Sequence, residues 1–280
     1  MQGQRDQVTD AAYEMRRGEI AALSAGGTPD GPVPLVDYVD WEHEVWRLAC
    51  AALDARHRVD AATEYLESAE ALAIPLDHVP QLREVSDRLT SISGFRLQSA
   101  ATLVPLREFC GSLANSVFRS TQYIRHPRAP LYSEDPDMLH DLVGHGNILA
   151  NDRFVRLYRL AGEAANRVES DEALQFIGKV FWFTLECGVV RERGERKAYG
   201  ATLVSSYGEL DHFRGAEFRQ LDIASLVDIK YDITTYQPLL FEADSMNQVE
   251  DLVGSFWDTC DDDSIAALFR GASRSVGSRH

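Results

Sequence analysis

Cysteine is scarce in this chain: Cys50, Cys110, Cys187 and Cys260 are the only four in 280 residues, and no two form a Cys-x-x-Cys pair. Such scatter excludes a disulfide framework and fits reduced thiols in a cytoplasmic protein, with Cys50, Cys110 and Cys260 packed as small hydrophobes. Long apolar runs are missing as well. No stretch approaches the roughly 18 continuous apolar residues of a membrane span. The opening MQGQRDQVTD lacks the charged-then-apolar order of a secretion signal. Basic residues are outnumbered 28 to 44, leaving a formal charge of −16. A phosphate surface would repel that charge, so neither nucleic acid nor an anionic membrane is an expected partner.

What is present is ordinary for a globular protein: 45% apolar and 26% charged residues, in a chain long enough to bury a substantial core. Residues 8–23 have helical character, and the Gly/Pro-rich stretch SAGGTPDGPVP separates them from the rest of the chain. Residues 1–34 are therefore read as an N-terminal extension, 35–265 as one domain, and 266–280 as a disordered tail. Trp46, Leu48, Ala49 and Leu53 recur at helical spacing. Leu82, Val85, Leu89 and Ile92 do likewise, with a stop at Gly94. Phe154, Leu157 and Leu160 share one face of a helix that Asn151 or Asp152 would cap. Segment 172–190 is apolar nearly all round, the pattern of a buried helix. β-rich runs at 121–125 and 230–241 are too few for a large sheet, and the fold class is mainly α with a few short strands.

Two features carry chemistry. Glu186 lies inside KVFWFTLECGVV, among aromatic and aliphatic neighbours. An unpaired buried carboxylate costs several kcal/mol, so it needs either an arginine or a metal ion. In DPDMLHDLVGHGN, His140 and His145 stand five residues apart. That is not the zinc-protease spacing of four with a glutamate after the first histidine. On an ideal helix the pair would sit about 140° apart, so their convergence on one ion requires a widened turn. Two histidines and one carboxylate leave coordination positions open, as in non-haem Fe(II) enzymes that use O2. A zinc site with a bound water uses the same ligands.

The blocks TQYIRH (121–126), DPDMLHDLVGH (135–145), FWFTLECG (181–188), KAYGATLVSSYGEL (197–210) and TTYQP (234–238) also keep a known order. In that order and spacing, from about Trp41 to Phe256, the chain resembles the pterin-dependent aromatic amino acid hydroxylases. Within them it is most similar to the short bacterial phenylalanine hydroxylases, including meta-hydroxylating members of antibiotic pathways. The resemblance implies the catalytic-domain fold of that family. It also implies Fe(II) on His140, His145 and Glu186, a tetrahydropterin such as tetrahydrobiopterin, O2 and an aromatic amino acid. No regulatory domain or tetramerisation helix is expected, hence a monomer. By the same resemblance Arg125 receives the substrate carboxylate, where its planar fork suits a bidentate grip. Ser133 and Ser205 add hydrogen bonds, Ser205 also orienting His140. Pro136 and Trp182 wall the ring pocket. Phe109 stacks on the pterin, backbone at Val104 and Leu106 meets its edge, and Asp141 stands where the family has a pterin-holding glutamate.

Two positions depart from the family pattern. Cys187 replaces a bulky aromatic residue after the metal glutamate, and Thr202 replaces a glycine. Both are expected to face the substrate ring, which favours hydroxylation of L-phenylalanine at the meta carbon, giving meta-tyrosine. The alternatives are para-hydroxylation, hydroxylation of tryptophan, and, outside the class, a zinc hydrolase with Asp141 as its base. A non-catalytic helical domain with an internal polar cluster is a third kind of reading.

Overall fold

The computed structural model describes residues 9–25, 31–233 and 235–277. It begins with helices α1 (Asp10–Ala25), α2 (Asp40–Asp60), α3 (Thr63–Leu72) and α4 (Leu82–Ser93). Strand β1 (Arg96–Ser99), helix α5 (Leu106–Ala114) and strand β2 (Val117–Ser120) come next, and the two strands pair in parallel. A π-helical segment, π1 (His140–Gly146), then precedes α6 (Asp152–Arg167) and α7 (Asp171–Phe181). α7 runs without a break into a second widened turn, π2 (Trp182–Glu186). The hairpin β3 (Val189–Glu192) and β4 (Glu195–Ala198) leads to the short helices α8 (Ala201–Ser205) and α9 (Tyr207–His212). Strands β5 (Glu217–Gln220) and β6 (Leu239–Ala243) complete a four-stranded sheet of order β4-β3-β6-β5, in which β6 runs parallel to both neighbours. The chain closes with α10 (Met246–Val249), π3 (Glu250–Gly254), α11 (Ser255–Thr259) and α12 (Asp262–Gly277).

Local chemistry explains most boundaries. α4 stops where Gly94 takes a left-handed φ of 74°, a conformation that costs glycine little. Asn151 caps α6 by accepting from the Arg153 amide, and Ser170 caps α7 by accepting from Ala173. On α6, Phe154, Leu157, Tyr158, Ala161 and Ala165 are buried along one face. Gly162 lets that face touch α5, because a Cβ there would lie 2.2 Å from the Ala114 amide nitrogen. Such backbone proximity excludes any larger residue.

Several expectations require correction. Segment 172–190 is not one helix: it widens at Trp182, ends at Glu186 and becomes strand at Val189. Residues 121–125 form no strand, since the strand lies just before them at Val117–Ser120, and β6 begins only at Leu239. Residues 121–125 are buried as irregular chain, whereas Tyr231, Ile233 and Tyr236 of the second stretch are exposed. Helix α12 continues to Gly277, through the region read as a disordered tail; residues 278–280 lie outside the described part. The N-terminal extension folds onto the domain, with Tyr13 and Ile20 of α1 buried.

π1 and α8 meet at Gly144, where a Cβ would come within 2.8 Å of the Ala201 carbonyl oxygen and 3.2 Å of its Cβ. Gly144→Ala is expected to force these backbones apart at a cost of about 1–3 kcal/mol. Thermal denaturation should show a lowered Tm, and an unchanged Tm would contradict the packing described.

Candidate active site

The widened turn that the histidine spacing requires is present. In π1 each turn closes between residues five apart, so His140 and His145 come onto one face. Their Nε2 atoms lie 3.1 Å apart. π2 delivers Glu186 opposite them, with its oxygens 3.2 Å from His145 Nε2 and 3.9 Å from His140 Nε2. The three ligand atoms all fall within 4.8 Å of one another, a spread that one divalent ion can span.

Each ligand is held from behind. His140 Nδ1 lies 2.8 Å from Ser205 Oγ on α8, and His145 Nδ1 lies 2.6 Å from Tyr158 Oη on α6. When these Nδ1–H groups donate to the two hydroxyl oxygens, both Nε2 lone pairs are free for a metal. The Thr202 hydroxyl donates to Glu186 Oε2 at 2.8 Å. Burial pushes the Glu186 carboxyl up, but the two imidazoles and Thr202 outweigh it and hold it down at about 2. Burial, with His145 beside it, pushes His140 down to about 4 despite the facing glutamate. A neutral imidazole and an ionised carboxylate are the protonation states that metal ligation needs. Glu186 meets the two histidines and Thr202, and no arginine among the described residues pairs with it. Of the two ways to satisfy this carboxylate, the metal is the one the donor set fits.

Arg125 lies in the irregular chain leading to π1. Its Nε and Nη2 grip Asp137 side-on at 2.9 and 2.8 Å, both residues being buried. Burial opposes both charges, yet each holds the other ionised: Asp137 is shifted below its ordinary range and Arg125 above. A guanidinium has five donors, of which Asp137 takes those on Nε and Nη2.

The other predicted residues separate into groups. Ser205 stands behind His140 as expected. Thr202 is near the metal ligands, but its hydroxyl is spent on Glu186. Cys187 is fully buried directly after Glu186, its amide bonded to the Trp182 carbonyl at 2.9 Å. Trp182 stacks on Tyr231 with ring centroids 5.9 Å apart and donates to Gln237 at 3.4 Å. Ser133 is turned onto the Asp135 carbonyl, and Pro136 is exposed. Phe109, on α5, packs edge-on against Phe118 and Phe181, and Val104 and Leu106 lie at the start of that helix, partly buried. Asp141 faces Thr121, accepting from its amide at 2.8 Å and from its hydroxyl at 3.1 Å, and burial pushes its carboxyl up to about 7.

Sequence reasoning missed Tyr158 and Asp137. Both left a signal: a tyrosine on the apolar face of α6 needs a partner for its hydroxyl, and an aspartate beside a metal histidine needs a cation.

Fold and site thus define a helical enzyme domain with a two-histidine, one-carboxylate metal centre. Residues 2–268 match the family model of the biopterin-dependent aromatic amino acid hydroxylases. The chain is 78% identical to phenylalanine 3-hydroxylase of Streptomyces coeruleorubidus over 276 residues, 99% of each chain. It is 37% identical to tyrosine 3-monooxygenase of Bos taurus, matching 89% of this chain and 52% of that longer one. A phenylalanine hydroxylase structure from Chromobacterium violaceum, with bound iron(III) and 7,8-dihydrobiopterin, superposes with a TM-score of 0.79 at 26% identity, covering 89% of this chain and 91% of the other. The protein belongs to the biopterin-dependent aromatic amino acid hydroxylases.

Glu186→Gln and His145→Ala are expected to unfold cooperatively yet fail to retain ferrous iron after dialysis. Tyr158→Phe, which removes the support of His145, should lower metal affinity about 10–100-fold. Anaerobic titration with ferrous iron measures both effects, and wild-type affinity in Glu186→Gln would rule out this ligand set.

Proposed function

We propose that this enzyme hydroxylates L-phenylalanine at the meta carbon, using O2 and a tetrahydropterin, with Fe(II) on His140, His145 and Glu186. The observation that carries this reading is the 78% identity, over essentially the whole chain, to a phenylalanine 3-hydroxylase. When bound, iron and the tetrahydropterin supply O2 activation and the two electrons the reaction needs. The protein's own groups orient the substrate and exclude water. The end-on edge of Arg125 takes the amino acid's carboxylate, while Asp137 keeps the guanidinium from turning. Trp182 and Pro136 flank the ring, Ser133 turns to reach the substrate, and Phe109 with the chain at Val104, Leu106 and Asp141 receives the pterin. The enzyme is read as a cytoplasmic monomer; no described helix is long and apolar enough to cross a membrane.

The meta position is assigned to Cys187 and Thr202. Adjacent ring carbons differ in place by little more than an ångström, and a misplacement on that scale changes reactivity about 10²-fold. A small thiol beside Glu186 leaves room on one side of the ring, and the Thr202 methyl takes room on another. Thr202 has a second task, because its hydroxyl holds the metal carboxylate. Thr202→Gly therefore alters both the pocket and the ligand, whereas Thr202→Ser keeps the hydrogen bond and removes only the methyl.

Incubation with ferrous iron, a tetrahydropterin and phenylalanine in air should yield meta-tyrosine when compared by chromatography with authentic ortho, meta and para isomers. Para-tyrosine as the main product would defeat the assignment. Cys187→Phe with Thr202→Gly should move product toward para-tyrosine, and an unmoved isomer ratio would remove these residues as determinants. Arg125→Lys should raise the KM for phenylalanine by the equivalent of about 1.5–3 kcal/mol, the worth of a lost hydrogen bond to a charged group. Unchanged steady-state kinetics would refute that role.

A further inference from the structure

Helix α1 lies against the segment that carries Arg125, Ser133, Pro136 and Asp137. The Arg17 guanidinium sits 4.1 Å above the Tyr123 ring and pairs with Asp135 Oδ2 at 3.0 Å. Tyr13 packs edge-on against His126 with centroids 4.7 Å apart, and Asp10 pairs with Arg128 at 3.0 Å. One helix thus touches both limbs of a loop: Tyr123, His126 and Arg128 before its tip, and Asp135 after it. α1 is itself fastened to the domain, because Arg16 donates twice to the buried Glu42, at 3.1 and 2.9 Å, and to the Asp37 carbonyl at 2.7 Å.

The loop is well fastened at its base and loosely at its tip. Its base is closed where the Tyr123 hydroxyl donates to the Pro136 carbonyl at 2.7 Å and the Met138 amide to the Tyr123 carbonyl at 3.0 Å. Asp137 also accepts from the Arg125 amide, Nε and Nη2 across the base. Beyond Arg125 the tip is held by two short turns, Ala129 to His126 and Tyr132 to Ala129, by the Arg128 amide on His126 Nδ1 and by the Ser133 hydroxyl on the Asp135 carbonyl, and Leu131, Tyr132 and Glu134 are exposed. An irregular tip held only by such short-range bonds opens locally at small cost unless another element fastens it.

We infer that α1 is a strap that positions the substrate-holding segment 123–137, with Arg17 as its positioning residue, bridging the two limbs of the loop. The inference rests on the reading that Arg125 receives the amino acid's carboxylate. Arg17 touches neither metal nor substrate. It acts by keeping Tyr123 and Asp135, which flank Arg125 and Asp137 along the chain, in one arrangement. A part-exposed ion pair combined with a cation–π contact controls an equilibrium by about fivefold, enough to change substrate capture without unfolding the domain.

The experiment compares wild type, Arg17→Ala and Arg17→Lys in the full-length, iron-loaded enzyme, by amide hydrogen exchange across residues 122–137 and by steady-state kinetics. Arg17→Ala should speed exchange in that segment and raise the KM for phenylalanine about fivefold, with kcat and the KM for tetrahydropterin unchanged. Arg17→Lys, which keeps the charge, should restore part of both effects. Unchanged exchange in Arg17→Ala overturns the strap, as does a parallel loss in every kinetic parameter, the mark of general destabilisation. Faster exchange with an unchanged phenylalanine KM overturns the segment's role in holding substrate. That result would be matched by normal kinetics in Arg125→Lys, so failure of the strap and failure of the Arg125 reading are told apart.

Discussion

A carboxylate and two imidazoles have been brought together at the edge of a helical core, 3.2 and 3.9 Å from oxygen to nitrogen, where burial removes most of the water that would compensate for their polarity. Regular α-helix would have placed the histidines on different faces. Two of the chain's three described widened turns, π1 and π2, aim these side chains at one point. Everything packed behind them serves the same end. α8 supplies Ser205 and Thr202, α6 supplies Tyr158, and Gly144 permits the close contact without which α8 would stand too far from the ligands it steadies.

A second buried pair extends that organisation toward the substrate. Asp137 is gripped side-on by Arg125, and its Oδ1 also accepts the backbone amide of His140 at 3.1 Å, where π1 begins. One carboxylate therefore ties the guanidinium to the metal-bearing helix. A buried ion pair contributes little to net stability once desolvation is counted. Its use here is geometric: it fixes the distance between the Arg125 guanidinium and the helix that carries His140 and His145.

Thr202 joins the two halves of the site's chemistry. A glycine at that position could not donate to Glu186, so the departure from the family pattern changes what holds that carboxylate. Cys187, next to the same glutamate along the chain, is fully buried.

The sequence by itself determined the mainly helical class, the family and the three metal ligands. A stranded carboxylate, a histidine pair at a forbidden helical spacing and five ordered motifs are all local patterns, and their chemistry can be read from neighbours along the chain. It also placed Gly94 and Asn151 at helix ends, because caps depend on the residue itself. Tertiary structure alone decided the break of segment 172–190 into helix, widened turn and strand, the extent of helix at the C-terminus, and the turning of Ser133 and Asp141 toward protein groups. It alone paired Arg125 with Asp137, Tyr158 with His145 and Arg17 with Asp135. These partners are distant in the chain or lie across irregular loops, and which donor meets which acceptor there is set by packing, for which no spacing rule exists along the sequence.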